Sequence, residues 1–152
     1  MNHKQKAIEL FNEGYNCAQS VFAAFCDVTG MEFEEAIKLS SSFGGGMGRL
    51  REVCGAVSAM FMITGILYGY TNPTDSEAKA EHYKQIQLLA EKFKEKNGSI
   101  ICRDILIEAG VENVNTNYIP EARTKEYYEK RPCAEYVGDA AEILDEYIKN
   151  HK

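Results

Sequence analysis

No stretch of this sequence is rich enough in proline, glycine and serine to serve as a linker, and three prolines are all that 152 residues contain. One domain over residues 1–152 is expected, because 45% hydrophobic content is enough to close a single core. Positive charge is short as well: 17 Lys and Arg stand against 23 Asp and Glu, a net charge of -6. Without a Lys/Arg stripe to reverse that balance locally, the counterion-release term that drives nucleic-acid binding opposes association, and no DNA or RNA partner is expected.

The N-terminal segment MNHKQKAIELFNEG lacks the unbroken apolar run of an export signal, so a cytoplasmic protein is expected. Residues 53–73 carry no charge and have about the length of a bilayer span. Gly55, Ser58, Thr64, Gly65 and Gly69 dilute that stretch, and no second apolar segment accompanies it. It reads as a central helix buried on all sides, with no membrane partner. Period-two alternation is missing between turn signals, as are repeats at solenoid spacing, which excludes a sheet and a solenoid.

Helical spacing is present nearly everywhere else. Ala7, Ile8 and Phe11 predict a first helix that Gly14 stops. Asn16 can cap a second, running to about residue 28 with Ala18, Val21, Phe22 and Phe25 as its apolar stripe. A third, acidic at its start, spans residues 32–43 until the glycines at 44–46 break it. The uncharged helix follows over residues 51–68. Thr74 or Asp75 then caps a helix reaching about residue 96, with Ile86, Leu89, Ala90 and Phe93 facing inward. Ser99 opens a short helix to residue 109; residues 110–122 read as loop; residues 123–130 are helical; Pro132 starts the last helix. The fold class is all-α, a single-domain helical bundle.

Four of the five cysteines fall in the first turn of a predicted helix: Cys17 after Asn16, Cys54 one turn into the uncharged helix, Cys102 after Ser99, and Cys133 after Pro132. Cys26 falls near the end of one instead and reads as a packing residue beside Phe22, Phe25 and Val28. Unpaired backbone N–H groups and the positive end of the helix dipole favour a thiolate over a thiol, and Arg49, Arg51, Arg103 and Arg131 lie close in sequence. If the helices alternate up and down, all four cysteines gather at one end of the bundle. Reducing compartments keep such thiols free, so metal ligation or redox chemistry is a more natural reading than structural disulfides.

The run FGGGMGRLREVCGA sets a glycine-rich loop against Cys54. A phosphate loop would need a preceding strand and a GK[ST] ending, and a dinucleotide fingerprint would need a βαβ unit; neither is present. The glycines are instead expected to turn the backbone tightly, leaving the amides before Cys54 free to approach a sulfur or an anion. Gly44, Gly45, Gly46 and Gly55 are therefore the candidate cofactor-contacting glycines.

The segments GYNCAQSV, FGGGMGRLREVCGAVSA, ICRDIL and RPCAEYV resemble the redox-active family labelled C_GCAxxG_C_C after its cysteine pattern, over residues 14–137. The resemblance implies a small helical protein with four characteristic cysteines and a prosthetic group such as an iron–sulfur cluster, in a redox or transport setting. Cys17, Cys54, Cys102 and Cys133 are the positions that match. Ala59 departs from the family's glycine, and its methyl is expected to narrow the approach of a neighbouring helix or ligand.

Three functions are compatible with these residues. An iron–sulfur cluster on the four cysteines would make the chain an electron-transfer protein with a redox partner protein, although the close C-x-x-C spacing of ferredoxins is missing. Two of the thiols could instead cycle as a dithiol and disulfide with no cluster. A zinc-binding module built on all four cysteines is the third reading and ranks lower, since such sites usually contain closely spaced pairs. Haem is not expected: no C-x-x-C-H occurs, and His3, His82 and His151 sit among charged residues. No G-x-S-x-G supports hydrolase chemistry.

Overall fold

The computed structural model describes residues 1–151. In chain order the helices are α1 His3–Asn12, α2 Cys17–Ala24, α3 Cys26–Thr29, α4 Phe33–Ser40, α5 Gly55–Tyr68, α6 Ser76–Asn97, α7 Cys102–Glu108, α8 Lys125–Lys130 and α9 Cys133–Asn150. A 3-10 turn, Ser41–Phe43, leads from α4 into the glycine loop. Among the described residues no strand forms, and the class is all-α as the sequence predicts.

Local sequence explains most of the boundaries. Asn2 and Asn16 each accept the backbone N–H of the residue three positions on, Gln5 and Gln19, whose side chains return the bond to the cap's own N–H. Each reciprocal box removes orphan donors at a helix start and contributes about 1 kcal/mol. Asp75 caps α6 through the Ala78 N–H and Thr124 caps α8 through the Tyr127 N–H.

Three boundaries differ from the sequence expectation. The second helix ends at Ala24, because Phe25 leaves helical geometry at φ -104 and ψ 19, so Cys26 opens the short α3 rather than closing α2. The uncharged helix starts at Gly55 and not at residue 51, since the backbone before it is left-handed or extended. Ser99 does not cap α7: its hydroxyl accepts from the Ile101 N–H, and the helix begins at Cys102.

One core joins the helices. At its centre, α5 buries Gly55, Ala56, Val57, Ser58, Ala59, Met60, Ile63 and Thr64 while packing on α2, α9 and α6. This uncharged stretch forms a 14-residue helix, and no helix among the described residues is long and apolar enough to cross a membrane. Its buried Thr64 hydroxyl is satisfied by donating to the Met60 carbonyl at 2.8 Å. The α2 helix is nearly as enclosed, with Ala18 and every residue from 20 to 24 buried. Gly138 lets α1 settle on α9, since a Cβ there would stand 2.9 Å from the Ile8 Cδ1. Phe22 on α2 is fully buried, so Phe22→Ala is expected to cost about 3–5 kcal/mol in urea unfolding; a loss under about 1 kcal/mol would contradict this packing.

Candidate functional site

The four helix-start cysteines meet. Cys17, Cys102 and Cys133 are the first residues of α2, α7 and α9, and Cys54 immediately precedes α5. All four line one cavity of about 310 Å³, with Gly44, Gly45, Gly46 and Gly55 also on its wall. Cys26 is not part of that wall and packs half-buried against the core. All five cysteines are free thiols.

Backbone pairing delivers two of them together. Val53 and Ile101 form an antiparallel bridge; the Cys54 N–H donates to the Ile100 carbonyl at 2.8 Å, and the Cys102 N–H to the Glu52 carbonyl at 2.6 Å. The segments preceding α5 and α7 therefore run side by side and present their cysteines to the same space. The side-chain amide of Asn16, which caps α2, donates to the Ser41 carbonyl and ties the start of that helix, with Cys17, to the approach of the glycine loop.

That loop is tighter than its glycines alone suggest. Gly45, Gly46 and Gly48 are left-handed, and so are Met47, Arg49 and Arg51, with φ of 69, 64 and 63. Each non-glycine in that region costs about 1–2 kcal/mol, which the loop's internal hydrogen bonds offset. These bonds correct one expectation in part: the N–H groups of residues 47–52 and of Cys54 are already engaged and not free for an anion. The N–H groups of residues 47–52 donate to carbonyls of residues 42–47, and that of Cys54 to Ile100. What the glycines supply is close approach. A Cβ on Gly46 would lie 2.7 Å from the Cys102 Cβ, and one on Gly55 would lie 2.9 Å from the Ala18 nitrogen.

The thiols are electrostatically unequal. The neighbouring Cys17 thiol, helped by Arg131, Arg123 and Arg51, holds Cys133 below the ordinary thiol value despite burial. The neighbouring Cys133, followed by burial and the charge of Cys54 and Cys102, pushes Cys17 well up. Burial pushes Cys54 up to about 12, and the nearby N–H groups of Ala56 and Val57 offset only part of it. Cys102 is also raised by burial, against the pull of Arg51, whose Nη1 donates to its sulfur at 3.7 Å. A helix start was expected to favour thiolate at all four positions, and the glycine approach with Arg49 and Arg51 nearby to favour it most at Cys54. Of the four only Cys133 is lowered, because burial outweighs the amide dipoles at Cys54 and the pull of Arg51 at Cys102, and the Cys133 neighbour raises Cys17.

The arginines near the cavity divide differently from their sequence positions. Arg49, Arg51 and Arg131 all donate to one atom, the Glu121 Oε1, at 2.5, 3.3 and 3.0 Å. Arg103 is exposed and does not line the cavity. Arg123 takes that place instead, donating to the Phe11 and Tyr15 carbonyls at 2.8 and 2.9 Å and lying 4.3 Å from the centre of the Phe11 ring. Neither Glu121 nor Arg123 stood out as a site residue in the sequence. The available signal was slight: they are the two charged residues within residues 113–123. Against burial, which pushes its carboxyl up, Glu121 is held below the usual carboxylate range by its own backbone N–H and by Arg131, Arg49 and Arg51.

Ala59 lies fully buried in α5 and not on the cavity wall, so its methyl affects helix packing rather than the cavity. Two histidines are more engaged than expected. His3 is bonded to Asp145 at 2.6 Å and Asp27 at 2.9 Å, and His151 stacks on Tyr147 with ring centres 3.8 Å apart.

With the cysteine geometry established, comparison with known proteins adds a family. Residues 15–147 match the family described as "Putative redox-active protein (C_GCAxxG_C_C)". The chain belongs to this family. Among its relatives is a protein of Archaeoglobus fulgidus described as uncharacterized, 28% identical over 158 aligned positions that cover 98% of this chain and 95% of the relative. No solved structure matches the chain. For this C_GCAxxG_C_C member, the cysteine order behind the match is also the set of thiols that shares one cavity.

Proposed function

We propose that this chain is an electron-transfer protein whose Cys17, Cys54, Cys102 and Cys133 hold an iron–sulfur cluster and exchange electrons with a partner protein. The observation that supports it is the convergence of four thiols from four separate helix starts on one cavity, walled also by Arg49, Arg51, Arg123 and Arg131. Four soft sulfur donors suit such a cluster, and the guanidinium charges would offset its negative charge. Among the described residues no three His, Cys, Asp or Glu side chains are gathered closely enough to hold a single metal ion. A bound cluster would supply one-electron transfer at a potential set by the charges and hydrogen bonds around it.

The chain's own residues would act as follows. Each thiol gives up its proton on ligation, and the raised Cys17, Cys54 and Cys102 make that loss harder at low pH. Arg51, already against Cys102, donates to a ligand sulfur, and the glycine loop keeps Cys102 and Cys54 side by side. Anaerobic purification followed by visible spectroscopy and iron, sulfide and zinc analysis tests the reading. Bound iron and sulfide are expected, with loss of iron in Cys54→Ser and retention in Cys26→Ser; zinc alone, or no metal, would overturn it.

The pairing of Cys17 with Cys133 on one cavity wall, where each shifts the other's proton affinity, favours a second reading, a cluster-free dithiol. A thiolate held by a neighbouring thiol is the arrangement that attacks a partner's disulfide: the Cys133 sulfur forms a mixed disulfide as the partner's S–S bond breaks. Cys17, losing its proton, then displaces the second partner sulfur, so the chain is oxidised by two electrons and the partner reduced to two thiols. Reversible loss of two titratable thiols on oxidation, in protein free of iron, would support it.

A further inference from the structure

Three guanidiniums share a single carboxylate oxygen beside the cysteines. Arg51 and Arg131 are 3% and 9% exposed, and Arg49 is 12% exposed. All three reach the Glu121 Oε1, yet the Arg49 Nη1 is buried and has no hydrogen-bond partner. Arg123 lies on the same wall, so four guanidinium charges face one carboxylate, an excess of three. One carboxylate oxygen is a poor acceptor for three planar forks, each of which can engage two oxygens at once. A buried, unpaired guanidinium nitrogen has a desolvation cost that an ordinary structural salt bridge would not leave in place.

Glu121 sits on the 110–124 segment, which has no helix of its own before α8. Its attachments near the cavity are side-chain bonds: the Arg51 Nε to the Asn115 carbonyl at 2.9 Å, Arg123 to the carbonyls of Phe11 and Tyr15, and Glu121 itself. The carboxylate can therefore leave the guanidiniums without unfolding a helix.

We propose that the cavity binds a small oxyanion in place of the Glu121 carboxylate, held by Arg49, Arg51 and Arg131. An anion with three or four acceptor oxygens gives each guanidinium its own partner, takes up the orphaned Arg49 Nη1, and removes more of the excess charge than one carboxylate does. Glu121 is then the internal competitor, and its charge sets how weakly the wild type binds. The proposal rests on the reading of the cavity as the redox site and adds a small anion as a ligand on its arginine wall.

Inorganic sulfate titrated calorimetrically into the full chain as purified, at constant ionic strength against chloride, is the test. Saturable binding is expected in the wild type, at least about tenfold tighter in Glu121→Gln, and at least about tenfold weaker than wild type in Arg49→Gln, which keeps Glu121 and its two other arginines as a folded reference. Should Glu121→Gln unfold because three cations lose their counterion, sulfate at matched ionic strength is expected to restore its helical circular dichroism more effectively than chloride. No saturable binding, equal affinity in all three proteins, or a chloride effect equal to that of sulfate overturns the proposal. Iron, sulfide and thiol content decide the redox reading separately, so a protein with bound iron and no sulfate site would lose only the anion site.

Discussion

Iodoacetamide added to the reduced, metal-free protein near neutral pH is expected to modify Cys133 at least about tenfold faster than Cys54. The thiolate is the reacting species; Cys133 is held below the ordinary thiol value by the neighbouring Cys17 thiol and by Arg131, Arg123 and Arg51, while burial takes Cys54 up to about 12. At that value Cys54 has about a thousandfold less thiolate than an ordinary thiol, and the higher intrinsic nucleophilicity of a high-pKa thiol returns only part of the difference. Because the Cys133 pKa is depressed, its rate should be flat above that pKa and fall as pH drops through it. Cys17→Ala removes the neighbouring thiol that contributes most to the depression, so the whole profile should move to higher pH. Peptide mapping after timed alkylation measures both effects. If Cys54 reacts as fast, or if Cys17→Ala leaves the pH profile unmoved, the thiol pair is not what the site is built on.

Gly46→Ala is expected to be much more damaging than Gly48→Ala in the same loop. At φ 72 an alanine is left-handed, and its Cβ would stand 2.7 Å from the Cys102 Cβ and 2.8 Å from both the Arg51 Cα and the Glu52 nitrogen. Two of those three atoms are backbone, held by the pairing of residues 51–54 with residues 100–103, so relief requires moving Cys102. Gly48→Ala separates conformational strain from collision: its φ is 56, but its Cβ would meet nothing nearer than the Ser42 carbonyl at 3.9 Å. Urea unfolding should show a loss of about 3 kcal/mol or more for Gly46→Ala and about 1 kcal/mol for Gly48→Ala. Equal losses would mean that the loop is not clamped on Cys102, and the account of how the cavity is held would fail.

The contrast between Cys54 and Cys133 shows where reading from sequence stops. Both stand at helix starts with arginines nearby, and the glycine approach makes sequence alone favour Cys54. Cys133 has the Cys17 thiol as a neighbour, 116 residues away in the chain, whereas Cys54 has burial that the nearby amides do not offset. Pairwise contacts and desolvation are properties of the packed state, so neither leaves a trace in local spacing. The same holds for Glu121, whose role depends on three arginines reaching it across the cavity.

Helix existence was legible because periodicity and caps are local: Asn16, Asp75 and the stripes of α2 and α6 act within one or two turns. The four cysteines at helix starts followed from that map. So did the glycine break before Cys54, though not the left-handed Met47, Arg49 and Arg51 inside it. By itself, then, the sequence determined an all-α chain, the order of its helices and the cysteines that open them. Only the tertiary structure decided that those cysteines share a cavity, that Cys133 rather than Cys54 is the favoured thiolate, and that one carboxylate faces three guanidiniums. The physical reason is range: helix signals act over a few residues, whereas desolvation and charge pairing depend on which distant segments are packed together.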